Sequence, residues 1–285
     1  MQKLNLMDLL KSTLAAVVFT LLSLSSAFSQ SYSSANAGES MESKKSCDTT
    51  CATKVKSAHV KSAKVIFQKD KVYEIVFFSL TKGKEKQVFE EYLPKSAPYF
   101  EKYGVKTIGM FNVEESRSEE LQSQMIGIFE WPNYEAKEKL EADKGFQKVA
   151  KLREGGFSFF KGGWFAPKED KEVVFYSNKV YEMAGATIHP TKEAQASLGK
   201  YFEVSEPIKR NYGGTYPEFL VNLNPIDSKG TSTYSNDMQF IVEWDSIEDN
   251  TKLFADEDFK IKAAPLMMAA IAKADFVFAK FIFEE

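Results

Sequence analysis

Short, dense apolar runs alternate along this chain with longer segments whose apolar residues recur at helical spacing. Val72 to Leu80 is a continuous β-branched and aromatic run, the pattern of a strand covered on both faces. In residues 84–103, Val88, Phe89, Tyr92, Leu93, Tyr99 and Phe100 mark one face of a helix, which Pro94 and Pro98 should kink and Gly104 should end. Val105 to Val113 and Gln124 to Trp131 read as two strands joined by the polar loop Glu114 to Ser123. A second helix over 134–153 stops at Gly155-Gly156, and Phe157 to Phe165 closes the unit as a last strand. The order β-α-β-β-α-β is the ferredoxin-like pattern.

The same order returns in the second half: Tyr181 to Ile188, a helix over 191–211, Tyr216 to Leu223, Asp237 to Trp244, a helix over 247–272, and Asp275 to Phe283. This is an internal repeat. Residues 65–74 and 173–182 are identical at six of ten positions, ending in Lys71-Val72-Tyr73-Glu74 and Lys179-Val180-Tyr181-Glu182. Glu130-Trp131 matches Glu243-Trp244, and Tyr103-Gly104 matches Tyr212-Gly213. Each copy also has a short preceding strand with a tight turn, at Lys69-Asp70 and at Ser177-Asn178. The predicted fold class is therefore α+β: two tandem ferredoxin-like units, at 63–167 and 168–285, forming a pseudo-dimer. One such unit has helices on one sheet face only, so the two bare faces are expected to pack face to face.

The N-terminus breaks this pattern. Lys3 and Lys11, an apolar run at 14–24 and small residues at Ala27 and Ser29 predict a secretory signal peptide over 1–29. That run is shorter than the roughly 20 residues a bilayer span requires, so no membrane span is expected after cleavage. Residues 30–62 read as a flexible Ser-, Lys- and Glu-rich leader, and the mature chain is placed outside the cytoplasm, in a periplasm or secreted. The leader carries Cys47 and Cys51, which in an exported protein read first as a disulfide. The sharper alternative joins them to His59 as metal ligands. That set has three donors only and lacks the paired spacing of a zinc site.

Composition narrows the function classes. With 37 basic and 40 acidic residues in 285 the charge is nearly balanced, which offers no field for nucleic acid. Two His and two Cys leave little for metal chemistry, whereas 24 Phe and 12 Tyr supply a large core.

Lys71-Val72-Tyr73-Glu74-Ile75, then Gly83-Lys84 and a Phe-Glu-Glu-Tyr-Leu-Pro helix, resemble the opening of NIPSNAP-type domains. Phe129-Glu130-Trp131-Pro132-Asn133-Tyr134-Glu135-Ala136, with Phe146, is similar to related small domains of unknown function. Both groups belong to the dimeric α+β barrel superfamily, with the antibiotic-biosynthesis monooxygenases and the chlorite dismutases. The resemblance covers both repeats and implies a pocket between helices and sheet that holds aromatic polyketides, lactones or haem, in members of which some only bind or dimerise.

The candidate chemistry is sparse. His189, in Ile188-His189-Pro190, has Thr81-Lys82-Gly83 at the matching place in the first copy. It reads as a solvated loop residue, or else as a general base or an axial haem ligand. Glu74 and Glu130, with their counterparts Glu182 and Glu243, lie on neighbouring strands, and each pair is expected at one end of its sheet. Two close carboxylates would shift one another's pKa and shuttle a proton; the plainer reading gives each a lysine or water. Tyr73, Trp131, Tyr181 and Trp244 are candidates for pocket walls and, more plainly, for core. Together these features predict an exported protein that binds a small apolar or aromatic molecule or a protein partner, with homo-oligomers allowed and no cofactor. The alternatives are a cofactor-free monooxygenase or isomerase acting on an aromatic or lactone substrate, and a haem or metal protein.

Overall fold

A computed structural model describes residues 60–215, 222–225, 234 and 236–283. The segments expected to be a signal peptide and most of the leader, with Cys47, Cys51 and His59, lie outside these residues. In the first repeat the elements are β1 (Ser62–Phe67), β2 (Val72–Leu80), a π-helical turn (Gln87–Tyr92) running into α1 (Leu93–Lys102), β3 (Lys106–Ser116), β4 (Met125–Trp131), α2 (Tyr134–Ala142), α3 (Lys144–Ala150) and β5 (Phe157–Pro167). The second has β6 (Lys171–Tyr176), β7 (Val180–Ile188), α4 (Lys192–Asn211), β8 (Asn222–Pro225), β9 (Met238–Trp244), α5 (Ile247–Ala255), a π-helical turn (Phe259–Ala263), α6 (Ala264–Ala270) and β10 (Ile271–Phe281).

Local chemistry accounts for the boundaries. Pro94 does not break the helix: the residues before it form the π-helical turn, Tyr92 keeps helical dihedrals, and α1 continues through Pro98. Gly104 follows with φ of 72°, and its counterpart Gly213 has φ of 74°, a conformation in which any Cβ would be strained. The single helix expected over 134–153 is divided. Asp143 adopts an extended conformation and its carboxylate accepts hydrogen bonds from the backbone N–H of Gly145 at 2.7 Å and of Phe146 at 3.2 Å, so it caps α3 as α2 ends. Asp256 does the same after α5, accepting from the Phe259 N–H at 2.8 Å. The helix expected over 247–272 is broken at that point.

Eight strands among the described residues close into a barrel in the order β10-β3-β4-β2-β5-β8-β9-β7, with β7 pairing back to β10. All the pairings are antiparallel. Each repeat contributes four consecutive strands of this order, and the two sheets are hydrogen-bonded edge to edge through β3–β10 and β5–β8. The expected face-to-face packing is thus incomplete as a description: the inner faces share a core, and closure also removes the sheet edges. The two short leading strands do not fold back on their own repeats. β1 pairs with β6, Val65 opposite Val173, as a separate sheet that straps one repeat to the other.

Inside the barrel, Tyr73, Ile75, Phe77, Phe111, Ile126 and Ile128 of the first repeat meet Tyr181, Met183 and Ile241 of the second. The strap adds Phe67, Val173 and Phe175. Phe111 meets Phe281 edge-on at 5.1 Å and Phe175 stacks on Phe281 at 4.8 Å, so one aromatic cluster spans both repeats and the strap. On the outer face of the first sheet, Val76, Phe78 and Leu80 pack against Val88, Phe89 and Tyr92.

Candidate functional site

The strand register decides which carboxylates meet. Tyr73 stands opposite Glu130 and Glu74 opposite Phe129. Because side chains alternate faces along a strand, Glu130 joins Tyr73 on the inner face while Glu74 projects to the helix side. The second repeat copies this, with Tyr181 opposite Glu243 and Glu182 opposite Val242. The expected carboxylate pairs therefore do not form, since their members occupy opposite faces of the sheet.

Each carboxylate has instead a role shared by the two repeats. On the inner face the Tyr73 hydroxyl donates to Glu130 at 3.1 Å and accepts from the Gln68 backbone N–H at 2.7 Å. Tyr181 donates to Glu243 at 3.3 Å and accepts from the Tyr176 N–H at 2.5 Å. Lys106 pairs with Glu130 at 2.9 Å, and Lys179 with Glu243 at 3.4 Å. These groups pin the strap to the barrel. Burial holds both tyrosine hydroxyls well above the usual phenol range, so they stay protonated. On the outer face the Trp131 indole N–H donates to Glu74 at 3.2 Å, and that of Trp244 to Glu182 at 2.6 Å.

Between sheet and helices the repeats diverge. Counting from the shared Tyr-Glu, the residues at Val76, Phe77 and Phe78 in the first repeat are Ala184, Gly185 and Ala186 in the second. Phe160, which pairs with Phe78, has as its counterpart Ala274, which pairs with Ala186. The first repeat fills this layer with Val76, Phe78 and the partly buried Phe157, while Phe77 points into the barrel and Phe160 lies exposed at the rim. The second leaves a cavity of about 50 Å³, lined by Glu182, Ala184, Gly185, Ala186, Leu198, Tyr201, Phe202, Lys209, Phe240, Val242, Met267, Ile271, Ala274 and Phe276.

Polar groups gather at one end of this largely apolar cavity. Glu182 is 4% exposed, Lys209 7% and Tyr201 8%. Glu182 accepts from Trp244 and also from the Asn250 side-chain amide at 3.1 Å. Burial pushes its carboxyl above the usual range, opposed by the charges of Lys209 and Arg117. Burial likewise lowers the Lys209 ammonium, against the attraction of Glu182. Desolvation raises the Tyr201 hydroxyl, helped by the Glu182 charge. In the first repeat, Glu74 is half-buried and its carboxyl is pushed up to about 7 by desolvation, with Lys137 the main opposing charge. Lys137 corresponds to Asn250, and Phe100 to Lys209, so the second repeat has exchanged a cation on the second helix for one on the first.

Of the candidate residues, Glu182 alone lines the cavity. His189 is exposed at the end of β7, its backbone N–H bonded to the Ala270 carbonyl at 2.9 Å. It is absent from the cavity wall, and a cavity of about 50 Å³ is far too small for a porphyrin, so these residues do not fit a haem. Among the described residues no cluster of three His, Cys, Asp or Glu residues could hold a metal ion. Tyr73 and Tyr181 serve the barrel interior, while Trp131 and Trp244 orient the outer glutamates. Sequence reasoning missed Tyr201, Lys209 and Asn250. The substitution of Val-Phe-Phe by Ala-Gly-Ala within matching strands was the signal that could have located their cavity.

No protein-family profile matches the chain, and no curated protein matches it. Solved structures do. An anthrone oxidase-like protein matches with a TM-score of 0.50 and 12% identity, over 77% of this chain and 95% of its own. A chlorite dismutase variant from Candidatus Nitrospira defluvii matches at 0.47 and 8% identity, over 76% of this chain and 92% of its own. A NIPSNAP-like domain protein from Burkholderia xenovorans matches at 0.28 and 11% identity, over 35% of this chain and 87% of its own. At these identities the likeness establishes the fold alone. The chain has the dimeric α+β barrel fold, with two repeats in the places of two subunits.

Proposed function

We propose that this chain is an exported protein that binds a small, largely apolar or aromatic molecule in the helix–sheet cavity of its second repeat. A buried apolar cavity with a few convergent polar groups is the usual form of a small-molecule site. One observation carries the reading: the same layer is filled by buried Val76 and Phe78 in one repeat and emptied to Ala184 and Ala186 in the other. Removing large side chains from one copy of a duplicated core sacrifices packing, a loss that a ligand restores. Glu182, backed by Lys209 and Tyr201, supplies the polar anchor. At about 50 Å³ the cavity is smaller than the roughly 150 Å³ that accepts a benzene ring. A ring therefore enters as half-buried Leu198, Phe202 and the flexible Met267 give way.

The test uses the full chain. Native mass spectrometry of protein purified from its own host is expected to reveal a retained small molecule. In parallel, phenol added as a probe should move the methyl NMR signals of Ala184 and Ala186 and leave Val76 unmoved. Ala186→Phe, which installs the first repeat's residue, should abolish both effects. Equal perturbation of Val76 and Ala184, or persistence of the effects in Ala186→Phe, refutes the assignment.

A second reading has its own support. Glu182 is a buried carboxylate that lines the cavity, with a pKa raised by burial, and a proton-abstracting base needs that combination. On this reading the chain is a cofactor-free monooxygenase or isomerase that draws a proton from an aromatic or lactone substrate. The anthrone oxidase-like neighbour is compatible with it. Glu182→Gln separates the two: a binding protein keeps its ligand, whereas an enzyme keeps the ligand and loses turnover.

A further inference from the structure

Glu182 lies in the second repeat, yet a residue of the first repeat reaches it. Arg117 follows β3 at the start of the loop to β4, and its backbone N–H donates to the Phe276 carbonyl of β10 at 2.8 Å. Its guanidinium sits over the Phe278 ring at 4.7 Å, donates from Nη1 to the Asn250 side-chain carbonyl at 2.7 Å, and from Nη2 to the Thr251 hydroxyl at 2.9 Å. Glu115, from its own repeat, accepts from Nε at 2.5 Å. Asn250 is 1% exposed and passes the contact on, its amide N–H donating to Glu182. A primary amide whose oxygen is held by a cation has its N–H groups aimed and polarised, which strengthens the bond on the far side.

We infer that Arg117 of the first repeat is a positioning residue for the cavity of the second, fixing the Asn250 amide so that it donates to Glu182 and completes the polar anchor. The inference rests on the reading of Glu182 as that anchor. It makes the cavity a product of both repeats, because the strand hydrogen bonds that close the barrel at β3–β10 also bring Arg117 into place. The charged and titratable groups facing Glu182 are then Lys209 and Tyr201 from α4, and Arg117 through Asn250 of α5. The first repeat lacks this device, since Lys137 occupies the Asn250 position and itself opposes the charge of Glu74.

The experiment is a carboxyl-carbon NMR titration of the full chain, which reads Glu182 and Glu74 together and needs no ligand. Arg117→Met keeps much of the packing on Phe278 and removes the charge. It should raise the Glu182 midpoint by about half a pH unit or more, as loss of a nearby opposite charge does, and leave Glu74 in place. Arg117→Lys should return most of that shift. In an Asn250→Ala background, the further effect of Arg117→Met should shrink to less than half. Arg117→Gln takes the same test if the Met variant does not fold. An unchanged Glu182 midpoint, an equal movement of Glu74, or a full Arg117 effect without Asn250 overturns the inference. Failure of phenol to bind, with the Glu182 shift intact, refutes the ligand site and leaves the positioning role standing.

Discussion

Glu74 offers a direct test of the electrostatic reasoning. It is half-buried on the helix side of β2, accepts one hydrogen bond from Trp131, and its pKa rises from 4.5 to about 7, first because burial strips its water. A carboxyl whose pKa is raised by folding contributes its stability below pH 4.5, and that contribution drains away as pH climbs through 7. At about 1.4 kcal/mol per pH unit the gap corresponds to about 3 kcal/mol. Partial solvent access brings the expected figure nearer 2 kcal/mol. Glu74→Gln keeps the shape and an acceptor for the Trp131 N–H, but it cannot ionise. Urea unfolding followed by tryptophan fluorescence between about pH 5 and pH 9 should therefore show near-equal stabilities at the acid end. The variant should pull ahead by about 2 kcal/mol at the alkaline end. Other titrating groups, Glu182 included, are common to both proteins and cancel in the difference. Parallel pH curves would show that Glu74 ionises in the fold as it does in water, and the burial argument would be wrong.

Two further outcomes test the architecture. Tyr73→Phe removes the hydroxyl that joins Glu130 to the Gln68 N–H, and should cost about 1–3 kcal/mol in urea unfolding because it orphans buried groups; a neutral result would mean that the strap is not held by this pin. Residues 60–167 and 168–283 expressed apart each carry two bare sheet edges and half of a shared core. Size-exclusion chromatography with light scattering should find them self-associated or unfolded, and two well-folded monomers would contradict the shared barrel.

The fold was legible because duplication wrote it twice. Lys-Val-Tyr-Glu and Glu-Trp recur at matching places, and strands buried on both faces carry an unmistakable apolar density. Helix ends were legible where one residue decides them, as at Gly104. Asp143 and Asp256 misled, because an aspartate inside a helical pattern reads as surface until its carboxylate is seen capping the next turn. The strap was not legible either, since no local signal tells β1 to pair with β6 instead of β2. For the site, residue type named Glu182 as a candidate, yet only register shows that Glu130 and Glu243 face the other way. The cavity was present in the sequence as missing side chains, which a search for reactive residues passes over.

The closing strand has a consequence for when the fold comes into being. β10 follows every other described element in sequence, and it is the strand that joins β3 to β7. A chain still emerging from the ribosome can pair β2, β3, β4 and β5, but the free edge of β3 waits for a partner more than half the chain away. Such distant pairing is slow to find, and an open edge is sticky while it lasts. Shortened chains that end before Ile271 would be left permanently in that state, with β3 and β7 both offering unpaired backbone to any neighbouring chain.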